Sequence, residues 1–205
     1  MNRTSNYNFI EMFQIIIFLI ITKFFFPTAR LVRFPFVIRG KKYIDFGEML
    51  TIGRYCRFDV LGKHTSNILK FGKNVNIGDS VRISCIDKVD IGDNVLIGSR
   101  VLIIDNSHGS YSGVNQDNPA LHPNDRKLTS SPIIIGNNVW IGDGAVIQKG
   151  VTVGDGAIIG ANSVVTKNIP SKTISVGIPA KPKKIFDENI NEWINFEIGK
   201  VSHMK

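Results

Sequence analysis

The sequence contains few of the residues that build metal centres and disulfide frameworks. Two cysteines and four histidines occur in 205 residues, with no Cys-x-x-Cys pair and no histidines at ligand spacing. This scarcity argues against a structural zinc site, and no metal is expected. Cys56 and Cys85 each stand alone. We expect both to be small core residues of a protein in a reducing compartment.

The sequence also lacks a long uninterrupted apolar run. Residues 9–26 are strongly apolar, but Glu11, Gln14 and Lys23 interrupt them, and the charge-free core covers only residues 12–22. A membrane-spanning helix needs roughly 20 apolar residues. Few basic residues precede the apolar stretch, and no cleavage site of small residues follows it. Both features argue against a secretory signal peptide. Two interpretations stay open: a helix in the membrane interface, or a helix packed on its own protein.

The chain has an excess of positive charge, with 25 basic against 17 acidic residues and a net charge of +8. This excess is compatible with nucleic acid, a membrane surface or a small anion as partner. No helix-turn-helix or RNA-binding signature accompanies it, so we expect no nucleic-acid partner. Much of the excess lies outside the middle of the chain, at Arg30, Arg33, Arg39, Lys41, Lys42, Lys181, Lys183 and Lys184.

Aliphatic residues recur every six positions over much of the chain. A period of six fits neither an α-helix nor a plain array of hairpins. It predicts short strands joined at corners, three to a triangular coil, so that each aliphatic side chain stacks on its counterpart 18 residues later. Strands of adjacent coils then pair in parallel about 4.8 Å apart. The repeat comprises Phe71, Ile77 and Ile83, then Ile91, Ile97 and Ile103, then Ile135, Ile141, Ile147, Val153, Ile159 and Val165.

This pattern divides the chain into three parts. Residues 1–43 are predicted to form an apolar helical segment and a basic linker, and residues 44–181 an all-β parallel β-helix. Residues 182–205 are predicted to form a short amphipathic C-terminal helix and tail, because apolar residues such as Ile185 and Trp193 alternate there with acidic ones. The flat faces of a narrow coil stack favour association, and we expect a trimer.

A polar loop at residues 106–132 interrupts the repeat. Loops of this length in compact domains are usually functional or disordered. It contains His108 and His122 and follows Asp105 directly. His108 stands where a regular side ends, so its backbone should be well held, and we consider it the candidate catalytic residue.

Four stretches of the sequence resemble the hexapeptide-repeat acetyltransferases, a family that includes galactoside, maltose and polysaccharide O-acetyltransferases. They are Asn137–Gly142, Gly150–Gly154, Ile159–Lys167 and Gly177–Lys181. The resemblance covers residues 44–185. It implies a left-handed coil, a cytoplasmic homotrimer and acetyl-coenzyme A as the acyl donor. It also implies a sugar hydroxyl as acceptor, either on a small molecule or on a lipid-linked sugar in cell-surface polysaccharide biosynthesis.

The resemblance also implies roles for individual residues. His108 matches the general base, and the backbone N–H of Asp143 matches the donor to the oxyanion. The acceptor contacts of the galactoside enzymes have no match here; the loop itself offers Asp105, Asn106 and Arg126, which are expected either to orient His108 or to contact the acceptor. The positions that match the coenzyme A site are Trp140, Gly142, Asp143, Gly160, Ala161, Lys167, Lys181 and Lys184.

Two other functions stay open at this point. An N-acyltransferase acting on an amino sugar would use the same fold and donor. A non-catalytic β-helix scaffold would explain the repeats, but it gives no reason for a histidine-bearing loop. The apolar segment at residues 9–26 is compatible with peripheral contact at the inner membrane.

Overall fold

The structure is a computed structural model that describes residues 8–62 and 65–197. Helix α1 (Phe9–Phe25) opens with a capping box: Asn8 Oδ1 accepts the Glu11 N–H at 2.9 Å, and the Glu11 carboxylate accepts the Asn8 N–H at 2.9 Å. These two bonds satisfy backbone groups that the first helical turn leaves unpaired. The helix confirms the helical segment predicted from the sequence.

Short strands make up most of the remaining described chain. In chain order they are β1 (Leu31–Val32), β2 (Phe36–Arg39), β3 (Ile44–Asp45), β4 (Thr51–Ile52), β5 (Cys56–Val60), β6 (Leu69–Phe71), β7 (Asn76–Ile77), β8 (Arg82–Cys85), β9 (Val89–Ile91), β10 (Leu96–Ile97), β11 (Leu102–Ile104), β12 (Asn106–His108), β13 (Leu128–Ser130), β14 (Ile133–Ile135), β15 (Trp140–Ile141), β16 (Val146–Gln148), β17 (Thr152–Val153), β18 (Ile158–Ile159), β19 (Val164–Val165), β20 (Thr173–Gly177), β21 (Ala180–Asp187) and β22 (Glu192–Asn195). Single 3-10 turns form at Lys41–Tyr43 and Pro123–Asp125.

The strands form the three faces of a triangular prism. The first sheet has the order β1-β4-β7-β10-β15-β18-β20-β21-β22, the second β2-β5-β8-β11-β16-β19, and the third β3-β6-β9-β14-β17. Pairing between successive coils is parallel in all three sheets. Each coil contributes one strand to each face, which confirms the parallel coil predicted from the six-residue period.

The core is a stack of aliphatic side chains that point into the prism. On the first face Ile97 pairs with Ile141, which pairs with Ile159 in the next coil. All three are fully buried, whereas Leu96 and Trp140, one position earlier on their strands, are about half exposed. Alternation along a strand sends neighbouring side chains to opposite faces. The outward position on each face is therefore available for a ligand or another subunit.

The coils begin before residue 44, the predicted boundary. Strand β1 pairs with β4, and β2 pairs with β5, so residues 31–39 already belong to the prism. Phenylalanines fill this end of the core: the Phe58 ring lies 5.0 Å from that of Phe36 and 5.6 Å from that of Phe71, centroid to centroid. Large aromatic residues replace the repeated isoleucine there, and the six-residue pattern fades although the coil continues.

Over residues 182–197 the predicted C-terminal helix is wrong, and the predicted tail at residues 198–205 lies outside the described residues. Strands β21 and β22 form an antiparallel hairpin on β20 at the end of the first sheet. Phe186 and Trp193 pair across the two strands, with ring centroids 5.3 Å apart. An open sheet edge offers unpaired backbone groups, and β21 satisfies those of β20. The spacing of apolar residues in this short segment is compatible with a helix, but hydrogen bonding to the open edge of β20 stabilises a strand instead.

One side of helix α1 packs on the prism, where Arg54 Nη2 donates to Gln14 Oε1 at 2.7 Å and the Phe18 ring lies 6.0 Å from that of Phe34, and its other side is exposed. The Thr22 hydroxyl is buried; it accepts the Val32 N–H at 2.8 Å and donates to the Phe18 carbonyl at 2.6 Å. Within the described ranges, no helix combines the length and apolar character needed to cross a bilayer. The exposed large apolar side chains of the helix are Phe9, Ile10, Met12, Phe13, Ile16, Ile17, Leu19, Ile20, Phe24 and Phe25.

The two cysteines are core residues, as expected. Both are free thiols and fully buried. Burial raises the pKa of Cys56 to about 11. Burial also raises the pKa of Cys85, which lies beside the carboxylate of Asp105, far above its usual range. Neither thiol is therefore suited to act as a nucleophile near neutral pH.

Candidate active site

The loop predicted at residues 106–132 leaves the prism as a two-stranded hairpin. Strands β12 and β13 pair antiparallel, with Ser107 opposite Thr129 and His108 opposite Leu128. The Gly109 N–H also donates to the Lys127 carbonyl at 2.8 Å. His108 therefore lies on a backbone held from both sides, at the position where the second face of the prism ends.

The imidazole of His108 is exposed and free for an incoming ligand. Across residues 8–62 and 65–197 it has no hydrogen-bond partner, whereas its backbone carbonyl accepts a bond from the Tyr111 hydroxyl. That hydroxyl accepts a bond from Arg126 Nη1 at 3.0 Å. The loop thus fixes the backbone of His108 and leaves the ring unengaged.

Lys149 supports the hairpin from the next coil, a role that the sequence did not reveal. Its ammonium group donates to Ser107 Oγ at 2.7 Å and to Thr129 Oγ1 at 2.6 Å, on the two residues paired beside His108. The sequence signal is weak: Gln148-Lys149 stands at the point of the six-residue repeat where many corners of the other two edges carry Gly-Asp or Gly-Asn pairs. A cation at this point ties both strands of the hairpin to the prism.

Asp105 cannot contact an acceptor, which corrects the sequence prediction. Its side chain is fully buried. Its carboxylate accepts the backbone N–H groups of Ile86, Asp87 and Lys88 at 2.8–3.0 Å. Asn106 Nδ2 adds a fourth bond at 2.8 Å. A buried carboxylate with several N–H donors is a structural anchor, and here it holds the base of the loop against the previous coil.

The other two predicted acceptor contacts are engaged within the protein. The amide of Asn106 also donates to Ser84 Oγ at 3.1 Å. Arg126 is half-buried, and its guanidinium donates to the carbonyls of Pro119 and Leu121 as well as to Tyr111. Contact of either residue with an acceptor stays a prediction. His122 caps the Pro123–Asp125 turn, where its Nδ1 accepts the Asn124 N–H at 3.3 Å.

A ladder of side chains runs along the edge between the first and second faces. At each corner, the residue after the glycine accepts a hydrogen bond from the backbone N–H of its counterpart one coil earlier. Asp79 Oδ1 accepts from the Arg54 N–H at 2.8 Å, and Ser99 Oγ accepts from the Asp79 N–H at 3.2 Å. Asp143 Oδ1 accepts from the Ser99 N–H at 2.9 Å. Each rung satisfies an amide that the turn would otherwise leave unpaired.

The ladder ends at Asp143. The next position is Ala161, whose methyl group cannot accept a hydrogen bond. In the described part of the chain the backbone N–H of Asp143 accordingly has no partner. This is the amide that the sequence singled out as an oxyanion donor. Its availability follows from the residue type at position 161.

A groove of about 500 Å³ follows the outer surface of the first face. Trp140 and Asp143 lie at one end, Arg30 and Arg33 at the other, and Leu96 with other outward residues between them. Trp140 is half exposed on strand β15. The groove thus leads along the prism axis to the unpaired amide of Asp143.

The predicted coenzyme A positions lie on the C-terminal side of Trp140. A Cβ at Gly142 would lie 2.6 Å from the Ala161 nitrogen, and one at Gly160 would lie 2.6 Å from Val176 Cγ1. Close stacking of the coils therefore demands glycine at both corners. The predicted phosphate-binding cations, Lys167, Lys181 and Lys184, are exposed, the last two on strand β21. No cluster of metal-ligating side chains occurs in residues 8–62 and 65–197.

Two family models match the chain. The model described as "Bacterial transferase hexapeptide (six repeats)" matches residues 132–167. The model described as "Hexapeptide repeat of succinyl-transferase" matches residues 88–109. The first match covers coils that follow the loop, and the second runs from the coil before the loop into its first residues, including His108.

The chain is also similar to curated proteins of known class. It is 36% identical over 175 residues to WbbJ of Escherichia coli K12, by name a lipopolysaccharide biosynthesis O-acetyl transferase, covering 85% of this chain and 88% of that protein. It is 41% identical over 143 residues to dTDP-4-amino-4,6-dideoxy-D-glucose acyltransferase of Escherichia coli, covering 70% of this chain and 72% of that protein. One relative is named for O-acetyl transfer and the other for an amino sugar.

A solved structure of galactoside acetyltransferase in complex with coenzyme A resembles the fold. The TM-score is 0.51 at 29% sequence identity, and the match covers 83% of this chain and 68% of that one.

Replacing Asp105 tests its anchoring role. We expect Asp105→Ala to lower the free energy of unfolding by about 2–4 kcal/mol, because several backbone N–H groups lose their acceptor. Urea denaturation followed by circular dichroism measures this change. The matched control is Asp125→Ala, an exposed carboxylate in the same loop, which should change stability by less than about 0.5 kcal/mol. Equal effects of the two substitutions would contradict the anchoring role.

Proposed function

Since the chain belongs to the hexapeptide-repeat acyltransferases, we propose that it transfers an acetyl group from acetyl-coenzyme A to a sugar hydroxyl during cell-surface polysaccharide biosynthesis. The chain is an acyl-coenzyme A-dependent acyltransferase with the left-handed parallel β-helix of that family. Because the chain is an enzyme, the alternative of a non-catalytic β-helix scaffold is excluded. The proposal adds the acceptor, the reacting groups and the assembly.

The unpaired backbone N–H of Asp143 is the observation that carries this proposal. The amide stands at the end of an outward groove, and every earlier rung of the same ladder is satisfied. A fixed N–H donor without a partner suits the charge that develops on a thioester carbonyl oxygen under attack. His108 supplies the complementary feature, an exposed imidazole on a braced strand.

The proposed chemistry needs no covalent acyl-enzyme. The His108 imidazole takes the proton of the acceptor hydroxyl as its oxygen attacks the thioester carbon. The carbonyl oxygen becomes an oxyanion that accepts a hydrogen bond from the Asp143 N–H. When the tetrahedral intermediate collapses, the carbon–sulfur bond breaks, and the imidazolium returns its proton to the departing thiolate of coenzyme A.

We propose a homotrimer in which each active site is shared by two copies. His108 lies on the edge between the second and third faces, whereas Asp143 lies on the edge between the first and second faces. The two groups therefore occupy different edges of one prism. Threefold packing of prisms side by side would bring the histidine edge of one copy to the amide edge of the next.

In this arrangement coenzyme A runs along the cleft on the C-terminal side of Asp143. Trp140 would pack on the pantetheine arm, and the small corners at Gly142, Gly160 and Ala161 leave room for it. Lys167, Lys181 and Lys184 would attract the phosphate groups as point charges, without the bidentate geometry of arginine.

A second candidate is N-acylation of an amino sugar. It is supported by the 41% identity to an acyltransferase named for a dideoxy amino sugar. Parallel assays with hydroxyl and amine forms of one sugar separate the two functions. We favour oxygen, because the O-acetyl transferase relative is matched over 85% of this chain.

We further propose that α1 docks on the anionic surface of the inner membrane. The helix presents an apolar face, with Phe9 85% exposed and Phe24 81% exposed. Lys41 caps the helix end, where its Nζ donates to the Phe25 carbonyl at 2.7 Å, and the exposed Lys23 and Lys42 lie in the same region. Apolar area combined with adjacent cations is the usual basis of interfacial binding.

Replacing the proposed base should abolish turnover without loss of donor binding. We expect His108→Ala to lower kcat by about 10²- to 10⁴-fold, since the hydroxyl loses its proton acceptor. Release of free thiol from acetyl-coenzyme A measures the rate, and calorimetry measures coenzyme A affinity. His122→Ala is the control, an exposed histidine of the same loop. An unchanged rate in His108→Ala would remove this residue from the mechanism.

Adding a hydrogen-bond acceptor for the Asp143 N–H at position 161 should inactivate the enzyme, although His108 and Asp143 are both kept. Threonine at position 161 supplies an oxygen that can accept the Asp143 N–H, as Ser99 accepts that of Asp79. We expect Ala161→Thr to lower kcat by about 10²- to 10³-fold. Ala161→Val has the same shape but no acceptor, and it controls for steric obstruction of coenzyme A. Equal loss in both variants would count against the oxyanion role.

The same variants test the shared site. Chains carrying His108→Ala and chains carrying Ala161→Thr are each inactive alone, but random mixed trimers contain intact pairs in about a quarter of their sites. Mixed assemblies obtained by co-expression and tandem purification should therefore show about a quarter of the activity of the unmodified protein. Absence of recovery would place both groups of one site on a single chain.

Membrane docking is tested by sedimentation with vesicles. We expect the chain to bind vesicles that contain anionic phosphatidylglycerol more strongly than neutral ones, and Phe9→Ser with Phe13→Ser to abolish binding, because the apolar face is lost. Val114→Ser, a change at an exposed apolar loop residue, is the control. If the unmodified chain does not sediment with anionic vesicles, α1 has a different partner.

A further inference from the structure

The groove on the first face contains two arginines at the end far from Trp140. Arg30 is half-buried, and its guanidinium is held by Thr51 Oγ1, 2.8 Å from Nε, and by Asn76 Oδ1. Arg33 is also half-buried and lines the groove, yet in the described chain its side chain has no hydrogen bond or ion pair. Neither arginine has a carboxylate within ion-pair distance in residues 8–62 and 65–197.

Three other arginines of the chain are paired with an anion. On the second face, Arg39, Arg57 and Arg82 converge on the buried carboxylate of Asp59, with Arg57 Nε 2.7 Å from it. That contact raises the pKa of Arg57. Arg54 and Arg126 bond instead to neutral oxygens, such as those of Gln14 and Leu121, so not every arginine of this chain is paired with an anion. Two partly desolvated guanidinium groups without one are suited to an anion from outside.

Their distance from the reacting groups is set by the coils. The guanidinium of Arg30 reaches Asn76 on β7, and Asp143 follows β15, with only β10 between these strands. Two strand spacings place the cation about 10 Å from the corner at Asp143. One pyranose ring and its anomeric substituent span such a distance. The groove floor between the ends includes Leu96, Gly98 and Ser99, which carry no charge.

We propose that the acceptor is a glycosyl phosphate, whose anomeric phosphate or diphosphate is bound by Arg33 and Arg30 while a ring hydroxyl is acetylated beside Asp143. This inference rests on the proposed function and adds the substrate class. The planar guanidinium groups match phosphate oxygens in bidentate geometry. The charged residues that line the groove are Arg30 and Arg33 at one end and Asp143 at the other, so a phosphate is expected at the arginine end.

The phosphates of coenzyme A do not explain this site. The proposed coenzyme cations, Lys167, Lys181 and Lys184, belong to the coils after Asp143, whereas Arg30 and Arg33 belong to the first coil. Arg33 also lines a smaller cleft together with Glu11 and Ile15 of α1 and with Arg54 and Asp79. The arginine end of the groove is therefore next to the apolar helix, and a phosphate could arrive either on a soluble nucleotide or on a membrane lipid.

Binding of inorganic pyrophosphate tests the site without relying on catalysis. Calorimetry on the chain saturated with coenzyme A should detect pyrophosphate binding, and Arg33→Gln should weaken it about tenfold or more. Arg100→Gln, an exposed arginine outside the groove, is the matched control. His108→Ala should bind pyrophosphate normally. Binding that Arg33→Gln does not change, or no binding at all, would overturn the inference.

Kinetics on paired acceptors then tests the substrate class. For each hexose in a panel, thiol release is compared among the free sugar, its 1-phosphate, its nucleotide diphosphate and its polyprenyl diphosphate in vesicles. We expect kcat/KM to favour a phosphorylated form over the free sugar at least tenfold, and Arg33→Gln to remove that preference through KM rather than kcat. A higher kcat/KM for the nucleotide sugar identifies a soluble nucleotide as the source of the phosphate, and a higher kcat/KM for the polyprenyl-linked sugar identifies a membrane lipid.

The outcomes separate the inference from the proposed function. Acetylation of free and phosphorylated sugars with equal kcat/KM would refute the phosphate site but leave sugar O-acetylation intact. Pyrophosphate binding that depends on Arg33, with no sugar hydroxyl acetylated, would refute the proposed function and leave the anion site in place.

Discussion

Parallel pairing between successive coils is the constraint on which the rest of this structure depends. Because each coil repeats the last at one strand spacing, a residue's position along the prism axis is set by the coil to which it belongs. Ile97, Ile141 and Ile159 form one column inside, and Leu96 and Trp140 form a row outside. The scaffold therefore holds outward groups at fixed separations, as an active site requires.

The groups that we propose as reactive lie where this regularity is interrupted. One interruption adds residues: the hairpin β12–β13 leaves the second face and displays His108, with Asp105 and Lys149 securing its base from neighbouring coils. The other removes a single acceptor: Ala161 replaces the polar residue found at earlier corners and leaves one amide unpaired. In both cases the regular coils supply rigidity, and one local change supplies chemistry.

Much of the fold was predictable from the sequence because the six-residue period is local and repeats many times. It predicted the parallel coils, the inward aliphatic positions and the loop. The period failed to predict segments whose structure depends on contacts with distant parts of the chain. Residues 180–195 form a hairpin because they pair with the edge of β20. The coils begin at Leu31, before the aliphatic repeat, because phenylalanines fill the core there. The burial of Asp105 and the bonds of Lys149 also depend on neighbouring coils, which one-dimensional spacing does not specify.

The hairpin at the C-terminal end of the first face limits how prisms can associate. A coil stack whose last strand stayed open would present a parallel edge to the first coil of another copy, and repeated addition would build a fibre. Strands β21 and β22 extend the first sheet as an antiparallel hairpin that has no counterpart on the other two faces, so this end of the prism no longer has the outline that a further coil would have to match. The hairpin therefore disfavours end-to-end stacking of prisms and favours contact through their sides.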